Sequence, residues 1–129
     1  MPKVSIIITN FNGKKYLCKC FDSLKEGSFT DFELIVVDNG SSDGSQDFIR
    51  KYYPDILLIE LGANLGLAVA SNRGRQAARG EYLFFYNNDT VADRRMLQEL
   101  VKTMESNHRV GITGCKTLTY DAKREINSG

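Results

Sequence analysis

No run of this chain approaches the length of a membrane-spanning helix, so nothing in it reads as a span. The apolar stretch Val4 to Ile8 is too short for a signal peptide and lacks a basic start and a small-residue cleavage site. A cytoplasmic location is the expectation. Neither sign of charge dominates: Lys plus Arg number 17 and Asp plus Glu 16. That leaves no strong pull toward nucleic acid or an acidic membrane. Cysteine is scarce and odd in number, at three, which argues against a disulfide framework. Cys18 and Cys20 lie two apart, and on a helix such positions point away from each other. With Cys115 they read as buried, inert thiols. The one histidine, His108, ends a helical stretch, where it reads as a cap or dipole partner. Internal repeats, linkers and low-complexity segments are absent. The length suits one domain over 1–129.

What is present is strict alternation. The spacing predicts strands at Val4 to Thr9, Phe32 to Val37, Ile56 to Leu61 and Tyr82 to Tyr86. The last is apolar throughout, the pattern of a strand buried on both faces. Helices are predicted at Lys14 to Glu26, from Asp43 to the stop at Pro54, at Leu67 to Arg79 and at Asp93 to Ser106. Asp43 with Gln46 reads as a capping pair. The third helix is rich in small residues, which allow close packing, and Gly80 reads as its C-cap. Val110 to Tyr120 is strand-like, with Tyr120 to Lys123 as a turn. Alternating strands and helices mean a parallel α/β sheet with right-handed crossovers.

All carboxyl ends then lie on one edge, where open α/β sheets hold ligands. The residues just past those ends are Asn10 to Gly13, Asp38 to Asp43, Gly62 to Gly66 and Asn87 to Thr90. Each set is polar while the strand before it is apolar. Asp38, an acceptor only, can read a ring N–H of uracil, thymine or guanine, or it can form an Asx turn. Asn64 opens the small-residue helix, where free N–H groups suit an anion or an ordinary cap suffices. Asn72, a poor helix former, can bond a neighbouring loop or touch a ligand. Asp89, with Asn87 beside it, offers the carboxylate that Mg²⁺ or Mn²⁺ needs when shared with phosphate. It reads equally as a turn acid, with Thr90 and Asp93 as a capping pair.

Taken together, these clusters resemble a family 2 glycosyltransferase of the GT-A (Rossmann-like) fold: a mostly parallel sheet with helices on both faces. The matching text is Val4 to Gly13, Ile35 to Gly44, Asn64-Leu65-Gly66 through Asn72-Arg73-Gly74, Gly80-Glu81-Tyr82, Asn87 to Thr90 and Val110 to Lys116. The tip Asn87-Asn88-Asp89-Thr90 looks most like the rhamnosyltransferase-type branch. The resemblance implies sugar transfer, with inversion, from a UDP-, dTDP- or GDP-linked donor to an acceptor hydroxyl in envelope polysaccharide synthesis. It implies that Thr9 and Asn10 line the nucleotide pocket and that Asp38 bonds the base. Asp89 would be the acid of a DxD-like motif bound to a divalent cation, Mg²⁺ or Mn²⁺, and Asn88 would lie near the donor sugar.

Two departures from the family pattern stand out. Asn87 replaces the first acid of the motif, and no residue between Asp89 and Gly129 is a convincing general base; Asp121 and Glu125 read as solvated turn acids. The base is therefore expected beyond Gly129. The chain reads as the donor-binding half of a longer, truncated enzyme, inactive alone. Its acceptor would be a glycan or a lipid-linked sugar, met at the inner membrane face. Self-association is expected through apolar surface at Val110 to Tyr120. The competing reading is a non-catalytic nucleotide-sugar-binding or assembly module. A phosphoacceptor receiver fails, because Asn10 and Asn12 stand where it needs acids. A dinucleotide fold fails for want of G-x-G-x-x-G.

Overall fold

The structure is a computed structural model and describes residues 1–119. Strands and helices alternate: β1 (Val4–Asn10), α1 (Lys14–Lys25), β2 (Phe32–Asp38), α2 (Ser45–Tyr52), β3 (Leu57–Glu60), α3 (Leu67–Ala77), β4 (Tyr82–Asn87) and α4 (Met96–Ser106). The four strands are parallel, in the order β3-β2-β1-β4. This is the α/β architecture expected from the sequence, with helices on both faces. Among the described residues no helix is long and apolar enough to cross a membrane.

β1 is central and covered on both sides, which is why it reads as an unbroken apolar run. Its even positions face one core with Leu17, Phe21 and Leu24 of α1, Ile49 of α2, and Leu97 and Val101 of α4. Burying each such side chain contributes about 1.5–3 kcal/mol. Its odd position Ile7 joins Ile35, Val37 and Ala70 in a smaller core under α3. Small residues in α3 permit that contact: a Cβ on Gly74 would stand 2.4 Å from Ile7 Cγ2.

Several expectations are corrected. β4 is half-buried on one face and exposed on the other. Among the described residues it is the outermost strand on its side of the sheet, and Leu83 and Phe85 remain 42% and 52% exposed. Residues 111–117 form no strand, and among the described residues from Val110 onward only Leu118 makes a β-bridge; Gly111 to Thr113 border an apolar groove of about 400 Å³ with β4 and α4. Tyr120, the turn to Lys123, Asp121 and Glu125 lie outside the described residues. Gly80 is not a C-cap, since α3 ends at Ala77 and Ala78 is its cap. Glycine is needed at 80 for proximity: a Cβ there would lie 2.5 Å from Ser5 N. Of the thiols only Cys20 is buried; Cys18 and Cys115 are exposed. His108 lies exposed beyond the end of α4, and Asn107 turns the chain there by accepting the Arg109 N–H. Asp43 does not pair with Gln46: it accepts the Ser45 N–H at 3.0 Å and the Lys14 N–H at 2.9 Å. Nor do Thr90 and Asp93 pair, because Thr90 donates to the Asn87 carbonyl.

Candidate functional site

The strand register sets the tips side by side, with Thr9 opposite Val37 and Asn87, and Asn10 opposite Asp38. Side chains alternate along a strand, and that alternation divides the residues at the strand tips into two groups. Asn10 and Asp38 follow Ile8 and Val36 onto the face of the larger core. Thr9, Asn39 and Asn87 follow Ile7, Val37 and Phe85 onto the face of α3.

The second group opens into a cleft of about 520 Å³ lined by Thr9, Phe11, Asn39, Asn64, Ser71 and Asn87 to Asp89, among others. Asn64 accepts the Gly66 N–H at 3.1 Å, which shapes the entry to α3. Gly66 precedes that helix with φ +89°, and no side chain caps the helix. Its first N–H groups therefore remain available to an anion. Asn72 sits exposed on α3 and is not among the cleft-lining residues.

Asn10 and Asp38 are fully buried. The Asp38 carboxylate accepts from Asn10 Nδ2 (2.9 Å), Ser41 N–H (2.8 Å), Ser41 Oγ (2.7 Å) and Gln46 Nε2 (2.9 Å). It is held entirely within the protein. Asn88 Nδ2 donates to Asn10 Oδ1 at 2.9 Å and joins this network from the turn just past β4.

Asp89 is exposed in the cleft, and among the described residues its carboxylate accepts no hydrogen bond. A single carboxylate flanked by amide oxygens suits a hard cation whose remaining ligands are phosphate and water. It does not make a closed cage, and the described residues hold no cluster of three metal-ligating side chains. The donor set thus fits a cation shared with a bound diphosphate.

The loop carrying Asp89 is fastened to α1. Cys20 Sγ donates to the Asn87 carbonyl at 3.7 Å, and Ser23 Oγ accepts the Ala92 N–H at 2.9 Å. Burial, and secondarily the negative charge of Asp89, push the Cys20 thiol up to about 12, so it stays a neutral donor. Sequence reasoning missed Cys20, Ser23, Asn39 and Phe11 as parts of the site. The odd-numbered parity of Asn39, shared with Val37, was a usable signal. An aromatic residue just past the apolar run of β1, Phe11, was another.

A family model described as glycosyl transferase family 2 matches residues 5–128. The chain belongs to that family. Among relatives of this family 2 chain, the uncharacterized glycosyltransferase EpsJ of Bacillus subtilis is 35% identical over 117 residues. The match covers 89% of this chain and 34% of EpsJ. The putative teichuronic acid biosynthesis glycosyltransferase TuaG of the same organism is 29% identical, over 93% of this chain and 49% of TuaG. The chain thus spans a third to a half of these relatives' length. Among solved structures, the mannosyltransferase PcManGT of Pyrobaculum calidifontis, in complex with GDP-Man and Mn²⁺, superposes with a TM-score of 0.74 at 27% identity. That match covers 80% of this chain and 32% of PcManGT. TarS of S. aureus in complex with UDP-GlcNAc gives a TM-score of 0.75 at 24% identity, over 92% of this chain and 38% of TarS, and shares the GT-A fold.

Proposed function

We propose that this chain supplies the donor-binding part of a glycosyltransferase that moves a sugar from a nucleotide-diphosphate donor to an acceptor hydroxyl, with inversion, in envelope polysaccharide synthesis. The observation that carries the reading is the free Asp89 carboxylate in a polar cleft at the carboxyl edge of the sheet. The likeness to TuaG supports the polysaccharide class, and PcManGT with its GDP-Man and Mn²⁺ supports a metal-bridged donor. Work at the inner membrane face on a lipid-linked acceptor belongs to the same proposal.

In this reading Thr9 and Phe11 receive the nucleoside, and Asn64 with the uncapped start of α3 receives phosphate. Asp38 acts by shaping the base-side loop through Ser41 and Gln46, since its oxygens are already engaged. Asp89, with Asn87 beside it, would hold the divalent cation. When bound, that cation offsets the charge that grows on the departing diphosphate. Asn88 borders the donor sugar, its Nδ2 engaged with Asn10.

Among the described residues lining the cleft, Asp89 is the only acid. One carboxylate cannot both hold the cation and take the acceptor's proton. That favours donor binding without turnover by this chain alone, and it keeps a second reading alive, a non-catalytic nucleotide-sugar-binding module. Calorimetric titration with UDP, dTDP and GDP, with and without Mn²⁺, tests the donor site. Metal-dependent binding that Asp89→Ala abolishes is expected. A folded chain that binds none of the three counts against the reading, and sugar transfer by this chain excludes the second one.

A further inference from the structure

We propose that Asn88 is a positioning residue whose amide, seated on Asn10 in space that Gly13 leaves open, fixes the loop carrying Asp89 against the buried Asp38. The inference rests on the reading of Asp89 as the acid that holds the donor's cation.

The argument starts at Asp38. A carboxylate accepts, so Asn10 must turn its Nδ2 toward it, as the 2.9 Å contact shows. Asn10 Oδ1 then faces the other way and can only accept. Asn88 meets that demand by presenting its own Nδ2. The direction of both amides is therefore dictated from the fully buried Asp38 outward, and Asn88 is the end of the line. It stands directly between Asn87, whose carbonyl is held by Cys20 and Thr90, and Asp89.

Gly13 has φ −103° and ψ 18°, a conformation open to other residues, so backbone geometry does not demand glycine there. Space does. A Cβ at 13 would lie 2.2 Å from Asn88 Nδ2 and 2.6 Å from Asn10 Oδ1. Glycine at this position admits the Asn88–Asn10 contact.

The test measures affinity for UDP, dTDP and GDP in Mn²⁺ and in EDTA, on this chain and on Asn88→Asp, Asn88→Ala and Gly13→Ala. Thermal unfolding confirms that each variant is folded. Asn88→Asp is the sign test. An added carboxylate beside Asp89 strengthens cation binding if residue 88 merely faces the cation. It weakens binding if residue 88 must donate to Asn10. The metal-dependent gain in affinity is expected to fall about tenfold in Asn88→Asp and Gly13→Ala, the scale of a lost hydrogen bond in a charged network. The affinity in EDTA should move much less. An unchanged or larger metal-dependent gain in Asn88→Asp, or an unchanged one in Gly13→Ala, overturns the proposal. If Asp89→Ala abolishes the metal dependence while these variants keep it, the positioning role alone is refuted. If Asp89→Ala keeps it too, the donor-site reading falls and this inference with it.

Discussion

The Asp43 carboxylate accepts the backbone N–H of Lys14 at 2.9 Å, so the first turn of α1 is capped by a residue 29 positions further along the chain. Its other oxygen accepts the Ser45 N–H at the start of α2. One side chain thus satisfies orphan donors of two helices, α1 and α2. Asp43→Ala should lower stability by about 1–3 kcal/mol, the scale of one to two lost caps. Urea unfolding followed by circular dichroism measures it, and a change no larger than that of an exposed surface substitution would contradict the double cap.

The same contacts set an acid limit. Burial pushes the Asp43 carboxyl up, but hydrogen bonds from Ser45 and from the Lys14 N–H outweigh it and hold it below its ordinary value of 3.8. Glu33 behaves alike: burial raises it, while Ser5 and Arg79 bring it below 4.5. A folded-state pKa below the unfolded one contributes stability above the unfolded value, and that contribution is lost as pH falls through the folded value. Urea midpoints should therefore drop below about pH 4.5 and keep dropping as both groups titrate. The drop should be shallower in Asp43→Asn and in Glu33→Gln.

Gly74 packs α3 against the sheet. A Cβ there meets Ile7 Cγ2 at 2.4 Å and Val37 Cγ2 at 3.2 Å, and both partners are buried and β-branched. Gly74→Ala should destabilise by about 1–3 kcal/mol despite alanine's better helix propensity. A stabilised variant in the same unfolding assay would contradict this packing.

The three thiols should separate by reactivity. Cys18 and Cys115 are exposed, whereas Cys20 is buried, with its thiol pushed up to about 12. At pH 8 a disulfide reagent should titrate two thiols quickly in the native protein and the third only on unfolding. Three fast thiols would place Cys20 outside the core and detach it from the Asn87 carbonyl.

Much of this was legible in the sequence, and the exceptions have physical causes. The parallel α/β order followed from apolar strands alternating with striped helices. The edge position of β4 did not, because Tyr82 to Tyr86 is apolar on both faces while only the sheet order decides which face is covered. Gly80 was misassigned because its reason, the backbone of Ser5, lies 75 residues away. At the site, residue type and spacing singled out Asp38 and Asp89 as candidates beside a turn reading, and the family resemblance added Thr9. Their orientation was carried by strand parity, which sends Asp38 inward and Thr9 into the cleft. Of the stretch read as strand-like from Val110, only Leu118 makes a β-bridge among the described residues, because apolar content does not reveal whether a partner strand lies in register beside it.

The most direct test of the central claim is paramagnetic broadening by Mn²⁺ in an amide NMR spectrum of this chain, recorded with each of UDP, dTDP and GDP. The account predicts loss of signal from Phe11 to Gly13 and Asn87 to Thr90 with at least one of the three, and sharp signals from Lys3, Phe32 and Glu81 at the opposite edge of the sheet. Broadening that centres away from Asp89, or that persists unchanged in Asp89→Ala, would contradict it.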